Sequence, residues 1–356
     1  MLSLFGILGT AGAPAQAASQ PGAVLGSTTA TLPPELSPLA TGKRIEYSTT
    51  DLSGKAITAT GLVLTPKTGK KNRTVAWGHG TTGLADQCAP STSEAMFWPE
   101  ARSAVAALLK KGWTVAAPDY PGLGTSLSHP YLVGNSEGRS IIDAVRAARN
   151  LDADLSTQYA VDGHSQGGQG ALFAGQLAPS YDGNLVLKGV AAIAPASNLD
   201  VIAPLIPGTP GQGYLVMALY GINAVESTFK PSTYLANPAN QLTPVLQSGC
   251  LNEILDTYAP LTAAQLVPAG MVSDTVRTKL AQYGNPATVA PSAPILIVHG
   301  TADEAVPHFI TTDYLLKQLS AYDQPVTFVS LSGATHDGAV FESTGLVADW
   351  IASRFT

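Results

Sequence analysis

The sequence predicts an α/β fold in which helices cover both faces of a mostly parallel central sheet. Short apolar runs that end at Gly or Pro, which are typical of buried parallel strands, alternate along the chain with stretches of helical periodicity. With 356 residues, the chain is also long enough to bury a large core, in one elaborated domain or in two.

The predicted strands begin with a hairpin and continue as buried runs. The pattern KRIEYSTTDLSGKAITATGLVLTP predicts an antiparallel hairpin that turns at Ser53 and Gly54. The apolar runs that follow are TVAWGHG, WTVAAPDYPGLG, YAVDGHSQGG, LKGVAAIAPA, PILIVHG and PVTFVSLSG. The helical patterns between them are EAMFWPEARSAVAALLKKG, SEGRSIIDAVRAARNL, GALFAGQLAPSY and HFITTDYLLKQLSAY. Together they predict a core built from residues 41–197 and 291–356.

Residues 198–290 interrupt this alternation. They contain no apolar run of the buried parallel type, and proline-punctuated helical patterns such as GQGYLVMALYGINAV fill them. A crossover between parallel strands needs far fewer than these ~90 residues. We therefore predict an inserted helical cap, or lid, over the carboxyl ends of the strands, where ligands bind in open α/β sheets.

The N-terminal residues predict export. An apolar run from Leu2 to Leu8 and the small-residue pattern Ala15-Gln16-Ala17 indicate a signal peptide at 1–17, although no Lys or Arg precedes the run. Residues 18–40, rich in Ala, Ser, Pro and Gly, predict an extended or poorly ordered arm. No later stretch has the ~20 consecutive apolar residues of a membrane span, so we expect a secreted protein without one.

Composition argues against a nucleic-acid partner, and the cysteine spacing argues against a zinc site. Only 12% of residues are charged and the net charge is −6, so the chain lacks the clustered Lys and Arg that nucleic-acid binding needs. An exported protein more often pairs its cysteines than leaves them free, but Cys88 and Cys250 fit two buried thiols as well. Neither has another Cys or His at the spacing of zinc ligands.

Ser165 is the candidate nucleophile. It lies in GHSQGG, and a Gly-X-Ser-X-Gly match alone is also what a glycine-rich turn would give. A predicted strand precedes it and a predicted helix follows, which is the setting of a nucleophile elbow. Gly163 and Gly167 remove the Cβ atoms that would collide in so sharp a turn.

A serine nucleophile needs a base and an acid, which this type of fold supplies in the order Ser, Asp or Glu, His. Asp303 follows the buried strand PILIVHG, and His336 follows the strand PVTFVSLSG. We therefore predict the triad Ser165, Asp303 and His336. Glu304 and Asp337 are competing acids, which we interpret as solvated loop charges.

The strand TVAWGHG leads into a loop that predicts an oxyanion hole. We assign the hole to the backbone N–H groups of Thr81 and Gln166, with Gly80 as the next candidate; a plain tight turn is the alternative. The remaining histidines have structural interpretations. His164 and His299 are expected to pack in the core, and His129 and His308 to lie at the surface or in loops.

Six motifs spread over the chain resemble those of a known family. They are GHGTTGLADQCAPS, PDYPGLG, YLVGNSEGRSIIDAVRAA, GHSQGG, HGTADEAVP and GATHDGA. In combination they resemble the secretory lipase family of α/β-hydrolases, which includes the fungal lipase A type enzymes and their actinobacterial relatives. The resemblance implies the α/β-hydrolase fold, a helical cap, the triad Ser165, Asp303 and His336, a disulfide bond between Cys88 and Cys250, and hydrolysis of carboxylic esters, including acylglycerols.

The residues and the resemblance together predict a secreted serine carboxylic-ester hydrolase, a lipase or esterase that acts through an acyl-enzyme. We expect no metal or organic cofactor, a small-molecule or lipid ester as substrate, transient contact of the cap with a lipid interface, and a monomer. An acyltransferase or a peptidase with the same triad is the alternative among enzymes. A non-catalytic binding protein on a hydrolase scaffold is a further alternative, which the intact triad disfavours.

Overall fold

Strands occur from residue 24 to residue 331 of the described part of the chain. The computed structural model describes residues 20–355, so the predicted signal peptide at 1–17 lies outside the described residues. The strands are β1 Val24–Ala30, β2 Ala40–Thr50, β3 Ala56–Pro66, β4 Thr74–Gly78, β5 Thr114–Pro118, β6 Gln158–His164, β7 Val186–Ile193, β8 Ile295–Gly300 and β9 Val326–Leu331.

Helices follow or separate these strands. They are α1 Pro99–Lys110, α2 Gly134–Leu151, α3 Gln166–Tyr181, α4 Leu199–Ile202, α5 Gln212–Val225, α6 Pro231–Tyr234, α7 Asn237–Gln241, α8 Val245–Ser248, α9 Leu251–Tyr258, α10 Ala263–Leu266, α11 Asp274–Gly284, α12 Leu316–Leu319 and α13 Gly338–Arg354, with a π-helical turn at Ile310–Leu315. No helix within residues 20–355 combines the length and the hydrophobicity that crossing a membrane requires.

The strands of residues 20–355 form one nine-stranded sheet in the order β1-β2-β3-β5-β4-β6-β7-β8-β9. The pairs β1–β2, β2–β3 and β3–β5 are antiparallel. All pairs from β5 to β9 are parallel. The carboxyl ends of β4, β6, β8 and β9 therefore open at one edge of the sheet, where their loops can meet.

Apolar cores fill both faces of the sheet. In β4, Val75 and Trp77 enter the core that α1 and α13 share, whereas Ala76 enters the core with Ile141 and Ile142 of α2. This alternation is the two-residue period of a strand that is buried on both sides. The predicted fold, a mostly parallel sheet covered by helices on both faces, is confirmed.

The structure adds one strand that the sequence analysis did not predict. Residues 24–30 of the predicted arm form β1, which pairs with β2 at the edge of the sheet. The segment VLGSTTA has only weak apolar alternation, and its extended form comes from pairing with a neighbour rather than from its own propensity. The predicted hairpin is present as β2 and β3.

Helices α4 to α11 lie between β7 and β8 and form what we call the helical segment, residues 199–284. Its apolar residues, Leu215 and Leu219 among them, share a core with Leu84 from the loop after β4 and with Val306 and Ile310 from the region after β8. The helical segment therefore packs over the carboxyl ends of β4 and β8.

Candidate active site

Ser165 lies in the sharp turn between β6 and α3. Its backbone has φ 55° and ψ −115°, a conformation that costs a non-glycine residue about 1–3 kcal/mol. Backbone hydrogen bonds hold it from both sides: its N–H donates to Ile193 at 2.9 Å, and its carbonyl accepts from Gln169 at 3.0 Å and Ala196 at 3.1 Å. The turn is thus a strained strand-to-helix corner with a serine at its tip, as a nucleophile elbow requires.

The glycines beside Ser165 allow the elbow to pack closely. A Cβ on Gly163 would lie 2.2 Å from the carbonyl oxygen of Gly167, and one on Gly167 would lie 2.0 Å from the carbonyl oxygen of Gly78. Neither separation is sterically possible between non-bonded atoms. Glycine at these positions therefore lets the start of α3 sit directly against the end of β4.

His336 follows β9, and the structure brings it to both Asp303 and the elbow. Its Nδ1 donates to Asp303 Oδ2 at 2.7 Å. Its ring centroid lies 4.5 Å from that of His164, the residue before Ser165. Burial disfavours the charged imidazole, but the hydrogen bond and the negative charge of Asp303 outweigh it and raise the pKa of His336. With Nδ1 engaged, Nε2 is the nitrogen left to act as a base.

The carboxylate of Asp303 accepts four hydrogen bonds. Two reach Oδ2, from His336 and from His299 Nε2 at 3.0 Å, and two reach Oδ1, from the backbone N–H groups of Ala305 at 2.9 Å and Val306 at 2.8 Å. Burial opposes ionisation, but the bonds from His299 and His336 dominate and lower the pKa of Asp303 well below its usual range. Asp303 is therefore a fixed anion beside the His336 ring.

His299 orients Asp303, a role that the sequence analysis did not give it. Its Nε2 lies 3.0 Å from both Asp303 Oδ2 and the Val306 carbonyl, which are both acceptors, so Nε2 carries the proton. Its Nδ1 is then free to accept from the hydroxyl of Thr311 at 2.8 Å. The sequence signal that could have found this role is the four-residue spacing within HGTAD, which places both side chains at the end of β8.

The competing acids lie elsewhere around His336. Glu304 Oε2 accepts from the backbone N–H of His336 at 3.3 Å, and Asp337 Oδ1 lies 4.0 Å from His164 Nε2. Among residues 20–355, no hydrogen bond joins Ser165 Oγ to the His336 ring. Such bonds are often long in the absence of substrate and shorten in the substrate complex.

The loop after β4 places Gly80 and Thr81 beside the elbow. A Cβ on Gly80 would lie 3.7 Å from the Cβ of Ser165, and the Thr81 hydroxyl is hydrogen-bonded to that of Tyr131 at 2.8 Å. The backbone N–H groups of Gly80, Thr81 and Gln166 donate to no acceptor within residues 20–355. Gln166 is the first residue of α3, where an N–H has no partner inside the helix and the helix dipole favours negative charge.

A buried polar network fixes the side chain of Gln166. Its amide donates to Glu137 Oε1 at 2.8 Å and to His129 Nε2 at 3.1 Å. His129 Nδ1 in turn donates to the Pro121 carbonyl at 2.7 Å, and Glu137 also accepts from the Leu132 N–H at 3.0 Å. Burial raises the pKa of Glu137 to about 8 and lowers that of His129 to about 3, so both groups favour their neutral forms.

The histidines given structural interpretations differ in burial. His164 is 2% exposed, and burial holds its pKa well below the usual value. His129 lies in a loop, one of the two expected positions, and it is only 3% exposed, so it does not lie at the surface. Inside the protein, the His129 ring bridges the Pro121 carbonyl and the Gln166 side-chain amide. His308 is half-buried.

A disulfide bond joins Cys88 to Cys250, which confirms the implied pair. Cys88 follows the loop of Gly80 and Thr81, and Cys250 immediately precedes α9 of the helical segment. Beside the bond, the N–H of Leu251 donates to the carbonyl of Thr82 at 2.8 Å. The helical segment is thus attached directly to the loop that carries the candidate oxyanion donors.

The sequence profile of the family described as secretory lipase matches residues 96–356. The chain belongs to the secretory lipase family. Among curated members, a secreted triacylglycerol lipase of Malassezia globosa is 28% identical over 285 residues, 74% of this chain and 59% of that protein. Lipase A of Moesziomyces aphidis is 25% identical over 303 residues, 77% of this chain and 64% of that protein. The chain thus spans about 60% of the length of these secretory lipase relatives.

Solved structures share the fold of this secretory lipase family member. Candida antarctica lipase A in its closed state superimposes with a TM-score of 0.77 at 21% identity, over 94% of this chain and 82% of that chain. The rice cell wall degrading esterase LipA from Xanthomonas oryzae gives a TM-score of 0.74 at 20% identity, over 94% and 100% of the two chains. The α/β-hydrolase fold is confirmed.

Proposed function

We propose that this protein is a secreted serine hydrolase of carboxylic esters, with Ser165 as nucleophile, His336 as base and Asp303 as the acid of the triad. The observation that carries the proposal is the His336–Asp303 hydrogen bond of 2.7 Å beside the strained turn of Ser165. Family membership and the names of relatives, which are secreted lipases, support the reaction class and export.

In the proposed reaction, His336 Nε2 takes the proton of Ser165 Oγ as that oxygen attacks the ester carbonyl carbon. Asp303, held ionised by its four hydrogen bonds, stabilises the imidazolium that forms. The N–H groups of Thr81 and Gln166, with Gly80 as the next candidate, stabilise the oxyanion, and one such donor typically contributes about 3 kcal/mol. His336 then protonates the leaving alcohol, and water releases the acid from the acyl-enzyme by the reverse steps.

We propose that the helical segment is the cap that governs substrate access. His336 is only 8% exposed. Burial, together with the negative charges of Asp337, Asp303 and Glu304, raises the pKa of Tyr214 in α5 to about 12, so α5 lies near the triad. A helical cover of this kind supplies an apolar surface for an acyl chain and excludes water from the acyl-enzyme. Exposed Leu205 and Met271 on the same segment suit transient contact with a lipid interface.

The decisive experiment replaces the nucleophile. We expect Ser165→Ala to lower kcat on a p-nitrophenyl ester by at least about 10⁴-fold and to abolish labelling by a fluorophosphonate probe. The control is Ser180→Ala, a serine-to-alanine substitution at an exposed position of α3, which should keep both the hydrolysis rate and the labelling. Wild-type rates in the Ser165→Ala protein would refute the mechanism.

A second measurement concerns substrate class. Rates on p-nitrophenyl esters from acetyl to palmitoyl, above and below substrate aggregation, separate a lipase from an esterase, and product analysis with added alcohol or peptide separates hydrolysis from acyl transfer and peptidase activity. We propose a lipase, so rates should persist on long chains and rise above aggregation. We also propose a monomer, and sedimentation would show its mass.

A further inference from the structure

His164, His336 and Asp337 form a cluster of potential metal ligands at the elbow. A ring nitrogen from each histidine and a carboxylate oxygen from Asp337 all lie within 4.8 Å of one another, and His164 Nε2 lies 4.0 Å from Asp337 Oδ1. Ligand atoms around a tetrahedral zinc ion are about 3.3–3.5 Å apart, so separations of up to 4.8 Å must close by at most about 1.5 Å for coordination. The Asp337 side chain is 61% exposed and can rotate towards the two histidines.

His164 provides the independent observation that points to a ligand. Its ring is 2% exposed and lies against the His336 backbone, yet neither of its nitrogens makes a well-aligned hydrogen bond within residues 20–355. In contrast, the buried histidines His129 and His299 each use both nitrogens in hydrogen bonds. A buried imidazole without a well-aligned hydrogen bond is poorly satisfied, and a metal ion at the cluster would satisfy it.

His336 offers the cluster one specific atom. Its Nδ1 is occupied by the hydrogen bond to Asp303, so Nε2 is the nitrogen that remains for a metal. A metal-bound histidine whose other ring nitrogen donates to a carboxylate is a common arrangement in proteins, and the carboxylate raises the basicity of the ligand. Asp303 thus already provides the supporting hydrogen bond of such a site.

We propose that His164, His336 and Asp337 bind a divalent transition metal ion, Zn²⁺ in particular, and that the bound ion inhibits the enzyme reversibly. Two imidazoles and one carboxylate are a known three-residue ligand set for zinc, with water in the fourth position. The ion inhibits because it takes the lone pair of His336 Nε2, the atom that must accept the proton of Ser165. The metal is therefore an inhibitor and not a cofactor.

Binding is tested without reference to catalysis, since inhibition rests on the proposed function but binding does not. Calorimetric titration of Ser165→Ala protein with Zn²⁺ should show one site, and Co²⁺ should give the visible absorption of a tetrahedral complex. Adding Asp337→Asn, at the surface, or His164→Phe should weaken Zn²⁺ binding by at least about tenfold, since even outer-shell partners change metal affinity by about 10- to 100-fold. Asp323→Asn and His308→Phe, matched substitutions outside the cluster, should leave the affinity unchanged.

Inhibition is tested on a soluble p-nitrophenyl ester, as the ratio of the initial rates that each protein shows with and without Zn²⁺. A chelator should restore the rate. The Zn²⁺ concentration for half-inhibition should rise by the same factor as the dissociation constant in Asp337→Asn. Absence of binding to the Ser165→Ala protein, or equal affinity in the Asp337→Asn protein and the Asp323→Asn control, would overturn the site. Binding without any inhibition of an active enzyme would overturn the inhibitory role alone.

Discussion

Two buried carboxyl groups near the candidate site, those of Asp303 and Glu137, differ in whether they are ionised. Asp303 is buried but ionised, because four donors surround its carboxylate, whereas Glu137 is buried and favours its neutral form, because the Gln166 amide and the Leu132 N–H are its donors within residues 20–355. Hydrogen bonds to a carboxylate favour its charged form only when they outweigh desolvation. The ionised Asp303 suits its proposed role of stabilising an imidazolium, whereas the neutral Glu137 suits the positioning of Gln166.

Replacement of Asp303 by Asn tests the first of these roles. Asp303→Asn removes the anion and disturbs the tautomer of His336, so kcat on a p-nitrophenyl ester should fall by about 10⁴-fold while the fold is retained. Steady-state kinetics and a thermal melt measure the two effects. Glu304→Gln keeps an acceptor for the His336 N–H and should change kcat only a few-fold. An equal loss in the two variants would mean that the acid of the triad has been misassigned.

Replacement of Glu137 by Gln tests the second role through pH. The pKa of Glu137 is about 8 in the folded protein, above its ordinary value of 4.5, so the folded state binds the Glu137 proton more tightly than the unfolded state does. The stability that this proton gives the wild type is therefore present below pH 4.5 and is lost as the pH rises to about 8. Gln mimics the protonated acid and does not titrate. The unfolding free energy of Glu137→Gln relative to wild type should therefore rise across that window, by up to about 1.4 kcal/mol per pH unit. Urea unfolding at pH 5 and pH 8 measures it; a pH-independent difference would contradict it.

The sequence predicts some of these residues and not others for a physical reason. Ser165, Asp303 and His336 each follow a recognisable strand, so the topology of the fold indicates where they meet. The Glu137–Gln166–His129 network joins groups 29 and 37 residues apart through side chains that converge only after folding. Nothing local in those segments marks a pairing of this kind, which is why His129 was expected at the surface or in a loop without a buried partner.

At the scale of elements, the elbow depends on close contact between β4, β6 and α3. The strained φ of Ser165 persists because the surrounding backbone holds it, and that backbone can approach only where side chains are absent. The strands and helices themselves follow from apolar periodicity, so they were predictable. β1 was not, because an edge strand of small polar residues carries little periodicity and acquires its form from β2.

Two glycine substitutions test this dependence on contact. Gly167→Ala places a Cβ 2.0 Å from the Gly78 carbonyl oxygen, so either strand or helix must move, and the unfolding free energy should fall by about 1–3 kcal/mol or more, with loss of activity. Gly345→Ala, inside α13 with nothing within 4 Å of its Cβ, should instead gain about 0.5–1 kcal/mol from helix propensity. Chemical unfolding should show a lower unfolding free energy for Gly167→Ala and a higher one for Gly345→Ala. An equally large decrease for Gly345→Ala would contradict the explanation.

At the scale of the whole molecule, the helical segment is joined to the sheet region at the site itself. The disulfide, the Leu251–Thr82 hydrogen bond and the core shared with Leu84 and Val306 all lie beside the loops that carry the candidate catalytic groups. The helical segment is therefore attached to the loop of Thr81 by a covalent bond, a hydrogen bond and shared apolar packing. The sequence predicted a helical insertion here, but short helices of mixed periodicity do not reveal which loops they contact.

Removal of the disulfide tests this connection. The bond between Cys88 and Cys250 spans a sequence separation of 162 residues, so it restricts the unfolded chain strongly, and its loss should lower the unfolding free energy by about 2–5 kcal/mol. We expect the double variant Cys88→Ala, Cys250→Ala to unfold at lower urea than the oxidised wild type and to be insensitive to a reducing agent, whereas reduction should destabilise the wild type. Because the bond adjoins the loop of Thr81, kcat should also fall in the double variant at temperatures where it is fully folded. Unchanged kcat with lowered stability would mean that the bond stabilises the fold without positioning the oxyanion donors.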